Sequence, residues 1–204
     1  MQNGYFLEKE VGLDVVDSVL VALDAAGLND SNKVIIQSED SAVLQRLKER
    51  SEYKLAFRVE STNDSVGTSQ ILQIKEFATY ATLPKLLIQQ ENLGYLVNDS
   101  HLVHLFHAHN VSVFVSHIWN EFIHISFDHD SDPTLELHTF VQYFKVDGLI
   151  TDFPATATAY LGKTLYICNL LPYAFMYGQM HVWMDRWYLT RVSFPLHIVQ
   201  VIAV

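Results

Sequence analysis

Six side chains stand where a parallel α/β protein would use them: Gln37, Ser38, Arg58, Glu60, Thr151 and Asp152. Val34-Ile35-Ile36 runs into Gln37-Ser38, Leu55-Ala56-Phe57 into Arg58-Val59-Glu60, and Gly148-Leu149-Ile150 into Thr151-Asp152. A buried parallel strand delivers functional groups in this way, at its C-terminal end. The planar, permanently charged guanidinium of Arg58 suits a phosphate. Its bland reading is a structural salt bridge with Glu60 or Asp152. Asp152 also has a purely local use, capping the helix that Pro154 opens. Trp119 follows the apolar run Val111–Val115 and is a candidate for the rim of a pocket, or else for a core aromatic.

Histidines crowd one region: His101, His104, His107, His109, His117, His124, His129 and His138. Spacing by three brings His101, His104 and His107 near one another on a helix, which invites a zinc reading. The stripe drifts around the helix, and no cysteine or carboxylate sits at a matching offset. Surface or partly packed histidines are the simpler reading.

The elements that would position these groups alternate. Leu13, Val16, Leu20 and Leu23 fall at helical spacing, with Gly27 as a stop. Lys33–Ser38 reads as a strand, Asp40 or Ser41 as the cap of a helix burying Val43, Leu44 and Leu47, and Lys54–Val59 as a second strand. A helix through Ile71, Ile74 and Phe77 follows the polar loop at 61–69. Within 79–99, Leu86-Leu87-Ile88 suggests a strand and Asn92-Leu93-Gly94 a turn. Ser100 can cap a helix through His109. Val111–Val115 reads as a strand, Asp132-Pro133 as the start of a helix to about Phe144, Gly148–Phe153 as a strand, and Pro154 as the start of a final helix. Four strand-helix units with short links imply parallel strands and right-handed crossovers. They predict either half of a (β/α)8 barrel or a small open sheet.

The chain has 204 residues, half of them hydrophobic and 18% charged, enough for one globular domain. A formal net charge of -10 argues against nucleic acid or anionic membranes as general partners. The single cysteine, Cys168, excludes an internal disulfide and a Cys-based zinc site. Met1–Phe6 lacks the basic and apolar regions of a secretory signal. Residues 162–204 contrast with 1–161. Their charged residues are only Lys163, Asp185, Arg186 and Arg191, and aromatic residues abound without a clean period. The charge-free stretch Thr164–Met184 is long enough for a membrane span but is interrupted by Asn169, Pro172, Gln179 and His181. The abrupt change reads best as a hydrophobic tail outside the evolved fold, such as a retained intron or a shifted reading frame.

The segments Val34–Ser38, Phe57–Glu60, Val113–Val115 with Asn120-Glu121-Phe122, Asp132-Pro133 and Val146–Ala157 together resemble the C-terminal half of glycerophosphodiester phosphodiesterases. The plant-type, cell-surface members are the most similar, and Gly12–Asp17 resembles the helix after that family's fourth strand. The resemblance covers about residues 5–161. It implies a partial TIM barrel, about strands five to eight, and an extracellular or cell-surface location. It also implies hydrolysis of glycerophosphodiesters to glycerol 3-phosphate and an alcohol with Ca²⁺ or Mg²⁺. The family's His-Arg-Gly, Glu-x-Asp and His-Asp motifs and a further Glu belong to its first half. None is present at a strand end, and His129-Asp130 lies in a polar loop. No catalytic residue, metal ligand or bound cofactor is therefore expected of this chain, which reads as an inactive fragment. A non-catalytic, self-associating module with exposed barrel edges and a gene-model artefact are the rival readings.

Overall fold

The computed structural model describes residues 14–28, 31, 34–60 and 66–162, together with the backbone of 197–198. Helix α1 spans Val15–Ala25, and the Asp14 carboxylate caps it by accepting from Asp17 N–H at 3.1 Å. Strand β1 is Ile35–Ser38. Helix α2, Ser41–Arg50, is capped by Asp40, whose carboxylate accepts from Ala42 N–H at 2.9 Å. Val43, Leu44 and Leu47 form its buried face. Strand β2 is Lys54–Arg58, helix α3 Thr68–Phe77 and strand β3 Tyr80–Pro84.

An excursion follows β3. It comprises the single turn α4, Lys85–Ile88, and an antiparallel hairpin of β4, Gln89–Asn92, and β5, Tyr95–Asp99. Helix α5, Leu102–Ala108, leads into β6, Ser112–Ile118. Two short 3₁₀ turns precede α6, Pro133–His138, whose cap Asp132 accepts from Thr134 N–H at 2.7 Å. A wide π turn, Thr139–Tyr143, continues α6. Strand β7, Gly148–Thr151, is followed by helix α7 over 154–162.

The sheet order is β1-β2-β3-β6-β7, with every pair parallel. A further two-residue strand, β8, His197–Ile198, lies parallel to Gly148-Leu149 on the outer edge of β7. Consecutive parallel strands joined through helices are the arrangement of a partial (β/α)8 barrel. The main core lies between the sheet and its helices and includes Val16, Leu44, Ile71, Leu83, Phe106, Val115 and Leu149. A smaller cluster, Ala56, Tyr80 and Phe114 with Ile35 and Ile150, occupies the opposite face. Tyr80 and Phe114 stack there with ring centroids 4.7 Å apart. Side chains alternate along a strand, so these residues define the inward face of the cylinder.

Three expectations change. Five long parallel strands replace the four expected, because Tyr80–Pro84 is a strand. All five of its residues are buried, so it carries no alternation to read. Leu86-Leu87-Ile88 is helical, since Pro84 ends β3 and the chain turns at once. His101, in the left-handed region at φ 53°, occupies the cap position expected of Ser100. The Ser100 hydroxyl instead donates to Ile88 O at 3.0 Å and accepts from Leu102 N–H at 3.4 Å. Among the described residues no helix is long and apolar enough to cross a membrane. The Thr164–Met184 segment, and the tail reading apart from Gly162 and the β8 backbone, lie outside the described residues.

Candidate functional site

Parity along the strands sets the site. The inward residues Ile35, Ala56, Tyr80, Phe114 and Ile150 form one apolar layer. Two residues further along, toward the C-terminal ends, the same face carries Gln37, Arg58, Thr82, Ser116 and Asp152. A polar layer thus sits directly above an apolar one, at the end of the cylinder where barrel enzymes bind substrate.

Within this mouth, Thr82 Oγ1 donates to Gln37 Oε1 at 3.1 Å, tying β3 to β1 across β2. Arg58 lies between them on β2 and is half-buried. It forms no ion pair with Glu60 or Asp152, so the structural salt bridge weighed from the sequence is not made. Glu60 is exposed beyond the strand end. Ser38 is buried, and its hydroxyl accepts from Asp40 N–H at 3.1 Å, a local bond that shapes the entry to α2. Thr151 is likewise engaged. Its hydroxyl donates to Ile118 O at 2.7 Å and accepts from Phe153 N–H at 3.0 Å, joining β6 to β7 as the ladder there shifts register.

The far wall is aromatic. Trp119 Nε1–H donates to Asp152 Oδ2 at 2.7 Å. That bond replaces the helix-capping role considered for Asp152; Phe153 O receives the first turn of α7 instead. Trp119 stacks on His117 at 5.3 Å and lies 4.5 Å from the ring of His124. Trp119 is therefore a wall residue rather than a core aromatic.

His117 is a site residue that sequence reasoning passed over. It is the penultimate residue of β6 and has φ 64°, a left-handed conformation rare outside glycine. Burial lowers its pKa from the usual 6.5, the Arg58 and Lys85 charges push it the same way, and Asp152 opposes them. These surroundings favour the neutral imidazole, within electrostatic reach of Arg58 and Asp152. Thr82 and Lys85 were also missed. The only local signal is that the short run Tyr80-Ala81-Thr82-Leu83 ends in Pro84-Lys85, and burial on both faces leaves it no period that marks a strand.

The other histidines disperse. His101 is exposed beside Asp99, His104 points outward, and His107 Nε2 meets Asp147 Oδ2 at 2.7 Å at the opposite end of the sheet. Among the described residues no three His, Cys, Asp or Glu side chains converge to hold a metal ion. The divalent cation that the family resemblance implies therefore has no seat of three such ligands among them. What the mouth can do chemically is hold an anion with the Arg58 guanidinium, since the Thr82, Ser116 and Thr151 hydroxyls already donate to Gln37 Oε1, Leu83 O and Ile118 O. Trp119 and the neutral His117 would stack beside it.

The family model described as "Glycerophosphoryl diester phosphodiesterase family" matches residues 1–156. The chain is 36% identical over 163 residues to Glycerophosphodiester phosphodiesterase GDPDL7 of Arabidopsis thaliana, covering 79% of this chain and 22% of that protein. It is 37% identical over 163 residues to GDPDL6 of the same plant, with the same coverage. Protein SUPPRESSOR OF NPR1-1 CONSTITUTIVE 4, also from Arabidopsis thaliana, is 30% identical over 162 residues, 78% of this chain and 14% of that protein. The chain spans about a fifth of the length of the first two relatives. Motif order, parallel strand order and the family match agree, and the chain belongs to the glycerophosphoryl diester phosphodiesterase family.

Proposed function

We propose that this chain is the substrate-facing C-terminal arc of a glycerophosphodiester phosphodiesterase and that it does not turn over substrate by itself. The observation that carries the reading is the polar layer at the mouth. There Arg58, unpaired with its acidic neighbours, stands on β2 between Gln37 of β1 and Thr82 of β3, and the Trp119–Asp152 pair walls the β6–β7 side of the same mouth. Arg58 would take the phosphodiester oxygens through its planar fork. Gln37, held by Thr82, would orient the polar glycerol end, and Trp119 would exclude water along one side. A cation bound by the complete family enzyme, Ca²⁺ or Mg²⁺, would neutralise phosphate charge, and its ligands would come from outside this chain. Glycerophosphodiester names recur among the relatives, which supports that substrate class.

Incubation of the chain with glycerophosphocholine and Ca²⁺ or Mg²⁺ tests the reading. Release of glycerol 3-phosphate no faster than in buffer is expected. Clear turnover would show that the catalytic groups have been misplaced.

A second reading is self-association. Strand β1 ends the sheet, so its outer edge has no strand partner among the described residues. Such an edge is a template for another chain. Light scattering after size exclusion distinguishes the two: a dimer supports edge pairing, and a compact monomer removes it.

A further inference from the structure

A second polar cluster lies on the flank of the mouth. Lys85 Nζ donates to Glu136 Oε1 at 2.6 Å and also to the backbone oxygen of His124. Lys85, Glu136 and His129 are only 7%, 2% and 5% exposed. Three buried polar atoms here have no protein hydrogen-bond partner: Gln89 Oε1, His129 Nδ1 and Glu136 Oε2. Their residues line one small cavity together with Lys85, Ser126 and Phe140. Buried polar atoms are paired in the great majority of cases, with protein or with ordered water. Three orphans around a single cavity therefore point to a shared ligand.

The ligand's chemistry follows from its surroundings. The Lys85 ammonium disfavours a cation, and the Glu136 carboxylate disfavours an anion. The space open to the centre of a water molecule is ≈ 10 Å³, at the lower end of the roughly 10–15 Å³ that one water needs. We infer that one buried water molecule occupies this cavity and hydrogen-bonds to Gln89 Oε1, Glu136 Oε2 and His129 Nδ1. Both of its hydrogens go to the two oxygens, which accept. Its oxygen must then accept from His129, so the neutral His129 ring carries its proton on Nδ1.

This water joins three segments that no direct bond between these atoms connects: the base of the β4–β5 hairpin through Gln89, the loop after β6 through His129, and α6 through Glu136. It also fixes the carboxylate that holds Lys85. Lys85 in turn holds the His124 carbonyl, and the His124 ring rests against Trp119. The cluster is thus a positioning device for the aromatic wall, and it stands whether or not the mouth binds a phosphodiester.

A crystal structure of the full chain, at a resolution that shows ordered solvent, tests this. One solvent peak within hydrogen-bond distance of all three atoms is expected, and Gln89→Met should lose that peak while Gln89→Glu keeps it. A two-dimensional imidazole ¹⁵N–¹H spectrum of the unmodified chain should show the Nδ1–H form of His129. A cavity with no solvent peak, a peak bonded to one of the atoms alone, or an Nε2–H ring would overturn the inference. The wild-type measurements decide even if a variant fails to fold.

Discussion

Trp119 and Asp152 meet by a 2.7 Å hydrogen bond between the ends of β6 and β7, 33 residues apart in sequence. The bond turns an indole that would otherwise be free to rotate into a fixed wall. It also commits one oxygen of the exposed carboxylate that belongs to the polar layer. Trp119→Phe keeps the ring and removes the donor. Because the pair is solvent-exposed, the expected loss of stability is about 0.5–1 kcal/mol, read as a lower urea midpoint with an unchanged slope.

The buried Lys85–Glu136 pair responds differently. Removing one partner leaves the other charge uncompensated in a buried site, at a cost of about 3–5 kcal/mol. Lys85→Met should therefore unfold at much lower urea than the parent chain. The double change Lys85→Met with Glu136→Leu should recover most of the loss, since neither charge then remains. A double variant as weak as the single one would mean that the cluster's hydrogen bonds, not its charges, hold the flank.

His129 links stability to acid. Burial lowers its pKa below the usual 6.5, the Lys85 charge adds to this, and Asp128 opposes it. A depressed folded-state pKa means that the unfolded chain binds the proton first. The contribution is fully present above pH 6.5 and is lost as pH falls through the lower folded value. Glu136 works in the opposite direction, because its folded form binds the proton first. Burial raises its pKa, so its contribution is present at low pH and fades as pH rises through the raised value. Urea midpoints measured across the acid range should fall below about pH 6.5 in the parent chain, and the fall should shrink in His129→Gln.

Gly94 is held by geometry. It has φ 84°, and a Cβ placed on it would lie 2.6 Å from the Phe127 ring. Its carbonyl also accepts from Phe127 N–H at 2.8 Å. Gly94→Ala should destabilise the chain by about 1–3 kcal/mol through steric overlap and backbone strain. A thermal melt indistinguishable from the parent would show that the hairpin and the Phe127 ring move apart freely.

Arg58 carries the anion-binding reading. Arg58→Lys retains the charge but loses the paired donors, so glycerol 3-phosphate affinity should fall about tenfold, near 1.4 kcal/mol. Titration calorimetry measures it. Equal affinity of the two forms would remove Arg58 from the phosphate site.

Strand ends at Ser38, Arg58 and Thr151 were legible because each closes an apolar run, and the caps Asp40 and Asp132 were legible from residue type alone. Tyr80–Pro84 was not, because a strand buried on both faces has no period to display. Lys85 went unnoticed because it follows that strand, and Glu136 because its partner lies 51 positions away. The roles within the polar layer were equally hidden. Nothing local to Ser38 or Thr151 says that their hydroxyls serve backbone groups, nor that Asp152 turns to Trp119 rather than to its own helix.

By itself, then, the amino-acid order determined the parallel α/β class, most of the helices and strands, and which residues stand at strand ends. Those properties come from periodicity, capping chemistry and turn residues within a few positions of one another. Tertiary structure decided which of those residues face a common mouth, which are occupied by backbone partners, and where a lysine, a glutamate and a histidine are buried together. Those outcomes depend on the register between distant strands and on desolvation, and both exist only once the sheet has closed around its core.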